Sequence, residues 1–246
     1  MTTTEFISQF NILYNNISSN SAPGINTYEM SVYLTKAQLE IVKEYNGPLN
    51  KYQKGFDGSD KRRTDLKELI IDFKSDISTI NSQNISTSLN SKFFNIPNNV
   101  FLIKYEKGKF KKGNCDLELD IIPITLDEFN EKVKNPFKKP YKKLAWRLDY
   151  SSQNNNPIVE IVSSENILTY HLRYLKYPEP IVLTNLQTNP EYIGMNLSID
   201  GITQEQTCKL NKEIHPEILD RAVELAIRDY KENNLQNKVQ LNNRNN

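Results

Sequence analysis

The side chains of this chain that could do chemistry are few and scattered. His171 and His215 titrate near neutral pH and could act as acid–base groups. Neither has a Ser, Cys or carboxylate partner at a motif spacing, and a strand position for His171 and a helix-capping position for His215 account for both. Cys115 and Cys208 lie far apart with no metal-type partner beside either, and read as reduced thiols. Asp57-Gly58-Ser59-Asp60 opens like a calcium loop but lacks its glycine spacing and closing Glu, so it reads as a turn before a helix. Asp116, Glu118 and Asp120 alternate along one predicted strand face. They could build the metal site of a hydrolase or nuclease, or form a charged strand edge that resists aggregation. P-loop, Ser-nucleophile and zinc-protease patterns do not occur. The reading is therefore no catalytic, metal or cofactor-binding residues, no cofactor, and no enzyme.

A basic run interleaved with aromatics offers a different chemistry. Lys104, Lys107, Lys109, Lys111 and Lys112 surround one predicted hairpin tip, and Lys132, Lys134, Lys138, Lys139, Lys142, Lys143 and Arg147 follow. Tyr105, Phe110, Phe137, Tyr141 and Trp146 lie among them. Such a mixture contacts phosphate and stacks bases, which makes a single-stranded nucleic-acid-binding module the alternative function. A solvated lysine face is the plainer account, and Phe110 suits a protein surface.

These residues need elements to position them. Thr2 to Glu5 forms a capping box, and Phe6, Phe10, Leu13, Tyr14 and Ile17 continue at helical spacing. Asn26 with Glu29 starts a second helix, carried to about Tyr45 by Met30, Tyr33, Leu34, Ala37, Ile41 and Val42 before Asn46-Gly47-Pro48 stops it. Leu66, Leu69, Ile70 and Phe73 predict a third, from about Asp60 or Thr64 to Phe73. The polar Asp76–Asn90 stretch reads as a connection. Beyond it the period becomes two. Val100–Tyr105 and Cys115–Ile121 are predicted strands around the turn Lys107–Gly113. Thr125 caps a short helix to Lys134, with Glu128 at its third position. Leu144–Tyr150 and Ile158–Ser163 form a second hairpin around Ser151–Pro157, and Ile167–Leu183 completes a mixed, largely antiparallel sheet. His215 as N-cap and Pro216 at the first position start a helix to about Glu232. Its apolar face carries Ile218, Leu219, Ala222, Val223, Ala226, Ile227 and Tyr230. The fold class is α+β: N-terminal helices and a long C-terminal helix around an inserted, mainly antiparallel β-sheet region. The parts are a helical 1–80, a connection 81–99, a β-rich 100–212, an amphipathic helix 213–233 and a flexible tail 234–246.

A length of 246 residues admits one elaborate domain or two modest ones. A net charge of +1 gives no global pull toward nucleic acid or membrane. No stretch approaches the ~18 apolar residues of a membrane span, Met1–Glu5 lacks the start of a secretory signal, and no internal repeat occurs.

The order of elements carries a resemblance. Tyr170-His171-Leu172-Arg173-Tyr174-Leu175-Lys176-Tyr177 alternates as a strand, then Pro178-Glu179-Pro180 leads into Ile181-Val182-Leu183, Cys208-Lys209-Leu210-Asn211 and the helix at His215. This order is similar to that of head-to-tail adaptor (connector) proteins of tailed bacteriophages. Asn15 to Gly24, Tyr28-Glu29-Met30-Ser31, Leu34 to Gln38 and Gly55-Phe56-Asp57 resemble the neck ring proteins of crAss-like gut phages. The likeness covers most of the chain and is weakest from about Asn81 to Asn99. It implies a structural virion protein assembled in the host cytoplasm: a homo-oligomeric ring of twelve subunits, with the portal above, another ring or tail protein below, genomic DNA passing through, and no membrane partner. In such a ring the C-terminal helix face would meet the portal or a neighbouring subunit. If that face instead belongs to the subunit's own core, only the helix end and tail would reach the portal. Lys107, Lys109, Lys111 and Lys112 would either face the DNA channel or meet Asp116, Glu118 and Asp120 of the next subunit.

Overall fold

Both N-terminal helices begin where the sequence places a capping box. The computed structural model describes residues 1–17, 24–46, 60–76, 90–141, 143–150 and 157–244, the side chains of Ile17 and of residues beyond Tyr230 excepted. At α1 (Thr3–Ile17) the Thr2 hydroxyl accepts the Glu5 N–H at 3.2 Å, and the Glu5 carboxylate accepts the Thr2 N–H at 2.8 Å. At α2 (Thr27–Asn46) Asn26 and Glu29 repeat the exchange at 2.8 and 3.0 Å. Two orphan donors are thus satisfied at each start.

The chain divides into two compact units, 1–68 with 178–246 and 69–177. In the first, α1 and α2 pack against α5 (His215–Arg244). Phe6 and Phe10 of α1, Leu34, Ala37 and Val42 of α2, and Ile218, Leu219, Ala222 and Val223 of α5 are buried together. Each large side chain so covered contributes roughly 1.5–3 kcal/mol. The segment after Pro180, expected as sheet, belongs to this unit. Its amides are taken by polar side chains on α2: Ile181 N–H donates to the Thr35 hydroxyl at 3.1 Å, and Leu183 N–H to the buried Ser31 hydroxyl at 3.0 Å. Gln38 reaches the Glu179 carbonyl at 2.9 Å. Two prolines had already removed donors from a ladder; the side chains of α2 claim the Ile181 and Leu183 amides, and Val182 between them pairs with Gln206 as an isolated antiparallel bridge.

The start of α5 also differs from expectation. Asn211 caps a 3-10 turn, Lys212–Ile214, that runs straight into the helix. His215 is therefore a buried helical residue, its Nε2 lying 3.0 Å from the Leu210 carbonyl, and not the cap. The helical backbone continues to Arg244, past the predicted end near Glu232.

The third predicted helix stops early. α3 (Asp60–Asp65) gives way to a 3-10 turn, Lys67–Leu69, and then to β1 (Ile70–Asp76). The second unit adds β2 (Asn90–Asn95), β3 (Val100–Lys112), β4 (Cys115–Pro123), α4 (Leu126–Val133), β5 (Leu144–Tyr150), β6 (Ile158–Ser163) and β7 (Ile167–Lys176). Most of the predicted connection, 77–89, and the turn 151–156 lie outside the described residues. The seven strands form one sheet in the order β1-β7-β3-β4-β5-β6-β2, antiparallel except for β4 with β5. The edge strands β1 and β2 approach each other, so the sheet curls toward a barrel. Phe94, Phe110, Leu119, Ile161, Leu172 and Tyr174 fill its inside. Gly108 sits among them because a Cβ there would meet Leu119 at 3.0 Å and Ile167 at 3.3 Å.

Two outcomes follow for the helical unit. Ala222→Asp buries an unpaired carboxylate between α5 and its partners and costs about 3 kcal/mol of subunit stability, read by urea denaturation of the isolated chain. The second concerns Glu217. Burial alone would raise its carboxyl, but bonds from Tyr45 at 2.7 Å and Lys61 at 3.1 Å, with the Lys61 charge, hold it below the usual carboxylate range. A depressed folded-state pKa stabilises above the unfolded value and is lost as pH falls through the folded one. Glu217→Gln should flatten the acid limb of a stability–pH curve, and an unchanged limb would deny Glu217 that part.

Candidate assembly surfaces

On α5, Ile218, Leu219, Ala222, Val223 and Ala226 are all 2 % exposed or less. The face read as a portal or subunit interface is thus occupied by the subunit's own helices, and only Ile227 and Tyr230 of that set are part-exposed. An amphipathic helix buries its apolar stripe against the nearest apolar surface, which here is α1 and α2. The outer face of α5 is charged: Arg221 bonds Glu40 of α2 at 2.8 Å.

The basic hairpin is strand almost to its tip. β3 continues to Lys112, and the reversal is confined to Gly113, at φ +62°, and Asn114. Register sets Lys107 opposite Asp120, Lys109 opposite Glu118 and Lys111 opposite Asp116. Directly opposed residues share a sheet face, so the two alternating rows form one ladder of opposite charge within a single chain. Lys107 Nζ lies 2.7 Å from Glu118 and 5.1 Å from the centre of the Tyr105 ring, and Lys109 lies 3.6 Å from Glu118. The Lys107 hydrogen bond and charge, then Lys109, hold the Glu118 carboxyl below its ordinary range. Among the described residues no group of three His, Cys, Asp or Glu side chains is placed to hold a metal. Lys112, opposite Cys115, and Lys111 remain at the tip.

The aromatics separate into two groups. Phe110 points into the barrel at 3 % exposure, against the expectation of a surface position. Trp146 is covered by Phe129 of α4, their rings 6.0 Å apart edge to face. Arg147 also points inward, bonding Glu106, whose second oxygen accepts from the Tyr170 hydroxyl. These three residues are lost to a nucleic-acid-stacking surface. Tyr105, Tyr141 and Phe137 are exposed, Phe137 to 98 %.

His171 faces outward between Lys74 of β1 and Lys107 of β3. Burial, then Lys109 and Lys74, push its pKa below the usual imidazole range. Burial pushes the Cys208 thiol up to about 11, while Cys115 is an exposed free thiol.

Two features escaped the sequence. β3 pairs with β4 only from Lys107 onward, which opens a cleft of about 550 Å³ between Val100–Glu106 and Asp120–Pro123. A second cavity, of about 230 Å³, lies at the N-terminal end of α4. Neither has a local signature, because each depends on where strands part or where a short helix ends.

The curled sheet is packed inside and ion-paired outside, and the long helix of the helical unit is already covered by α1 and α2. The chain belongs to the phage tail ring protein 3/4 family, whose profile matches residues 1–238. It is 42% identical over 246 residues to ring protein 4/5 of Bacteroides phage crAss001, covering 99% of each chain. It is 32% identical over 232 residues to ring protein 3 of the same phage, covering 92% of this chain and 95% of that one. The resemblance to crAss-like phage ring proteins is borne out.

The buried Arg147–Glu106 pair supplies a check on the barrel. Arg147 also pairs with the more exposed Asp149 at 2.8 Å, so Glu106→Gln removes the buried one of its two carboxylates and should cost about 1.5–3 kcal/mol, measured by chemical denaturation. A loss under ~1 kcal/mol would mean that water reaches the pair.

Proposed function

We propose that this chain is a non-enzymatic structural subunit of a ring in the phage neck. Twelve copies surround the channel, with the portal above and another ring or tail protein below. The supporting observation is full-length similarity to two ring proteins of one phage. Assembly takes place in the host cytoplasm and the finished ring is a virion component. No described helix is long and apolar enough to cross a membrane. With Ile218 to Ala226 packed inside the subunit, the portal contact is assigned to the end of α5 and not to its apolar face. Weak contacts repeated in every copy then become lasting attachment through multivalency.

The tip lysines are assigned to the DNA channel. Lys107 and Lys109 are partnered within the ladder, and Phe110, the residue that favoured a protein contact, lies in the core. Lys111 and Lys112 are left as an exposed pair that a ring multiplies into a collar of positive charge.

Cryo-EM of virions should show this chain as a ring adjoining the portal, and its absence from the neck would overturn the reading. Virions with Lys107, Lys109, Lys111 and Lys112 all replaced by Gln should keep that ring. Their genome retention should become less sensitive to salt, because long-range attraction is what has been removed. Rings that fall apart would place the tip between subunits instead.

A further inference from the structure

The crossover from β4 to β5 carries an aromatic knob at one end of α4 and a cavity at the other. The knob is Lys134–Tyr141. Phe137 stands at its apex, 98 % exposed, flanked by Lys134, Lys138 and Lys139. The loop beneath it is fixed locally. Asn135 Oδ1 accepts the Phe137 N–H at 3.0 Å, the Lys138 N–H reaches the Asn135 carbonyl at 3.1 Å, and Pro136 and Pro140 restrict the backbone. A single exposed apolar ring is ordinary on a free surface, but one held on a loop already fixed by its own hydrogen bonds loses little freedom on docking and suits a contact.

The cavity at the other end of α4 is lined by Ile124, Thr125, Leu126, Leu148, Asp149 and Tyr150 and measures about 230 Å³. An apolar cavity of about 150 Å³ holds a benzene ring, so a phenylalanine fits here. Leu148 and Ile124 form its buried floor, Leu126 is half exposed at its mouth, and Asp149 stands at its edge. Asp127 and Glu128 follow in the first turn of α4. Asp149 pairs with Arg147 at 2.8 Å and Glu128 with Lys132 at 3.1 Å, so Asp127 is the carboxylate near the mouth that a basic partner would meet, while the knob is basic around an apolar tip.

We infer that copies of this chain join head to tail along α4, Phe137 of one copy seating in the cavity beside Leu126 of the next. The inference deepens the ring reading and rests on it. α4 has eight residues, and a rise of ~1.5 Å per residue separates its ends by ~12 Å, so a copy does not fill its own cavity. Two different patches meeting make a heterologous contact, the kind that closes into a ring when the rotation permits. Knob against knob would oppose Lys134, Lys138 and Lys139 to their own copies, and two cavities facing each other would offer no ring to fill either, so both symmetric pairings are disfavoured.

Native mass spectrometry of the full-length chain tests this with Phe137→Ser and Leu126→Arg, both at exposed positions, with circular dichroism to confirm the fold. The wild type should form closed rings, and each variant should reduce the ring fraction at least tenfold. Mixed in equal amounts, the two variants retain one intact pairing, and the product should be heterodimers without rings. Rings persisting in Phe137→Ser would overturn the knob while leaving the ring reading intact. Full rings from the mixture would overturn the head-to-tail geometry. A wild-type chain that stays monomeric at every concentration would overturn the contact as one the chain makes by itself, and virion cryo-EM would still decide the ring reading separately.

Discussion

The parallel pairing of β4 with β5 is the constraint on which the sheet unit depends. Antiparallel neighbours can be joined by a two-residue turn, but a parallel pair needs a crossover of a dozen residues or more. Asp120 to Pro123 pairs in parallel with Leu144 to Arg147, so the chain leaves β4, crosses the outside of the sheet as α4 and returns. That passage covers Trp146, Leu148 and Val162, which would otherwise show an apolar outer face. It also leaves two ends: the N-terminal one, where eight residues cannot cover the whole patch, and the C-terminal one, where the chain must turn back. The cavity and the exposed Phe137 are both products of one topological requirement.

The two faces of the sheet handle charge in opposite ways. Outside, Lys107 and Lys109 of β3 share Glu118 of β4, and Arg173 holds Asp72 across β7 and β1 with two bonds of 2.6 and 2.8 Å. Inside, Glu106 bonds both Arg147 and Tyr170, and Arg147 reaches on to Asp149 at 2.8 Å. The interior cluster fixes which way β3 and β5 face, because a slip of one residue would carry a charge outward and an apolar side chain with it. We regard register specification, more than stability, as what such a buried pair gives.

What was legible in the sequence was local. The capping boxes at Thr2 and Asn26, the cap at Thr125 and the boundaries of β5 and β6 rest on contacts within a few residues. What was misread depends on distant partners. Leu66, Leu69, Ile70 and Phe73 satisfy a helical period, yet Ile71 and Phe73 also alternate, and pairing of β1 with β7 decides for strand. Phe110 could face either way until β7 and β4 set the parity of β3. The apolar stripe of α5 announced burial but not against what, so an interface and the subunit's own core were both open readings of it. β2 lies in an Asn- and Ser-rich setting that hides it, and only its ladder with β6 defines it. The ring family was legible because element order survives such errors.

The division of the chain also sets a timetable for synthesis. The sheet unit is one continuous stretch, 69–177, whereas the helical unit needs residues from both sides of it. At ~5–20 residues per second a ribosome spends on the order of ten seconds making the sheet stretch. Through that interval α1 and α2 have emerged without α5, and Phe6, Phe10, Leu34 and Val42 have no helix to cover them. The sheet can close during translation, while the helical unit waits for the last part of the message. A chain cut short after Tyr177 and released would therefore carry all seven strands of the sheet and an open apolar pair of helices, a ready substrate for host chaperones.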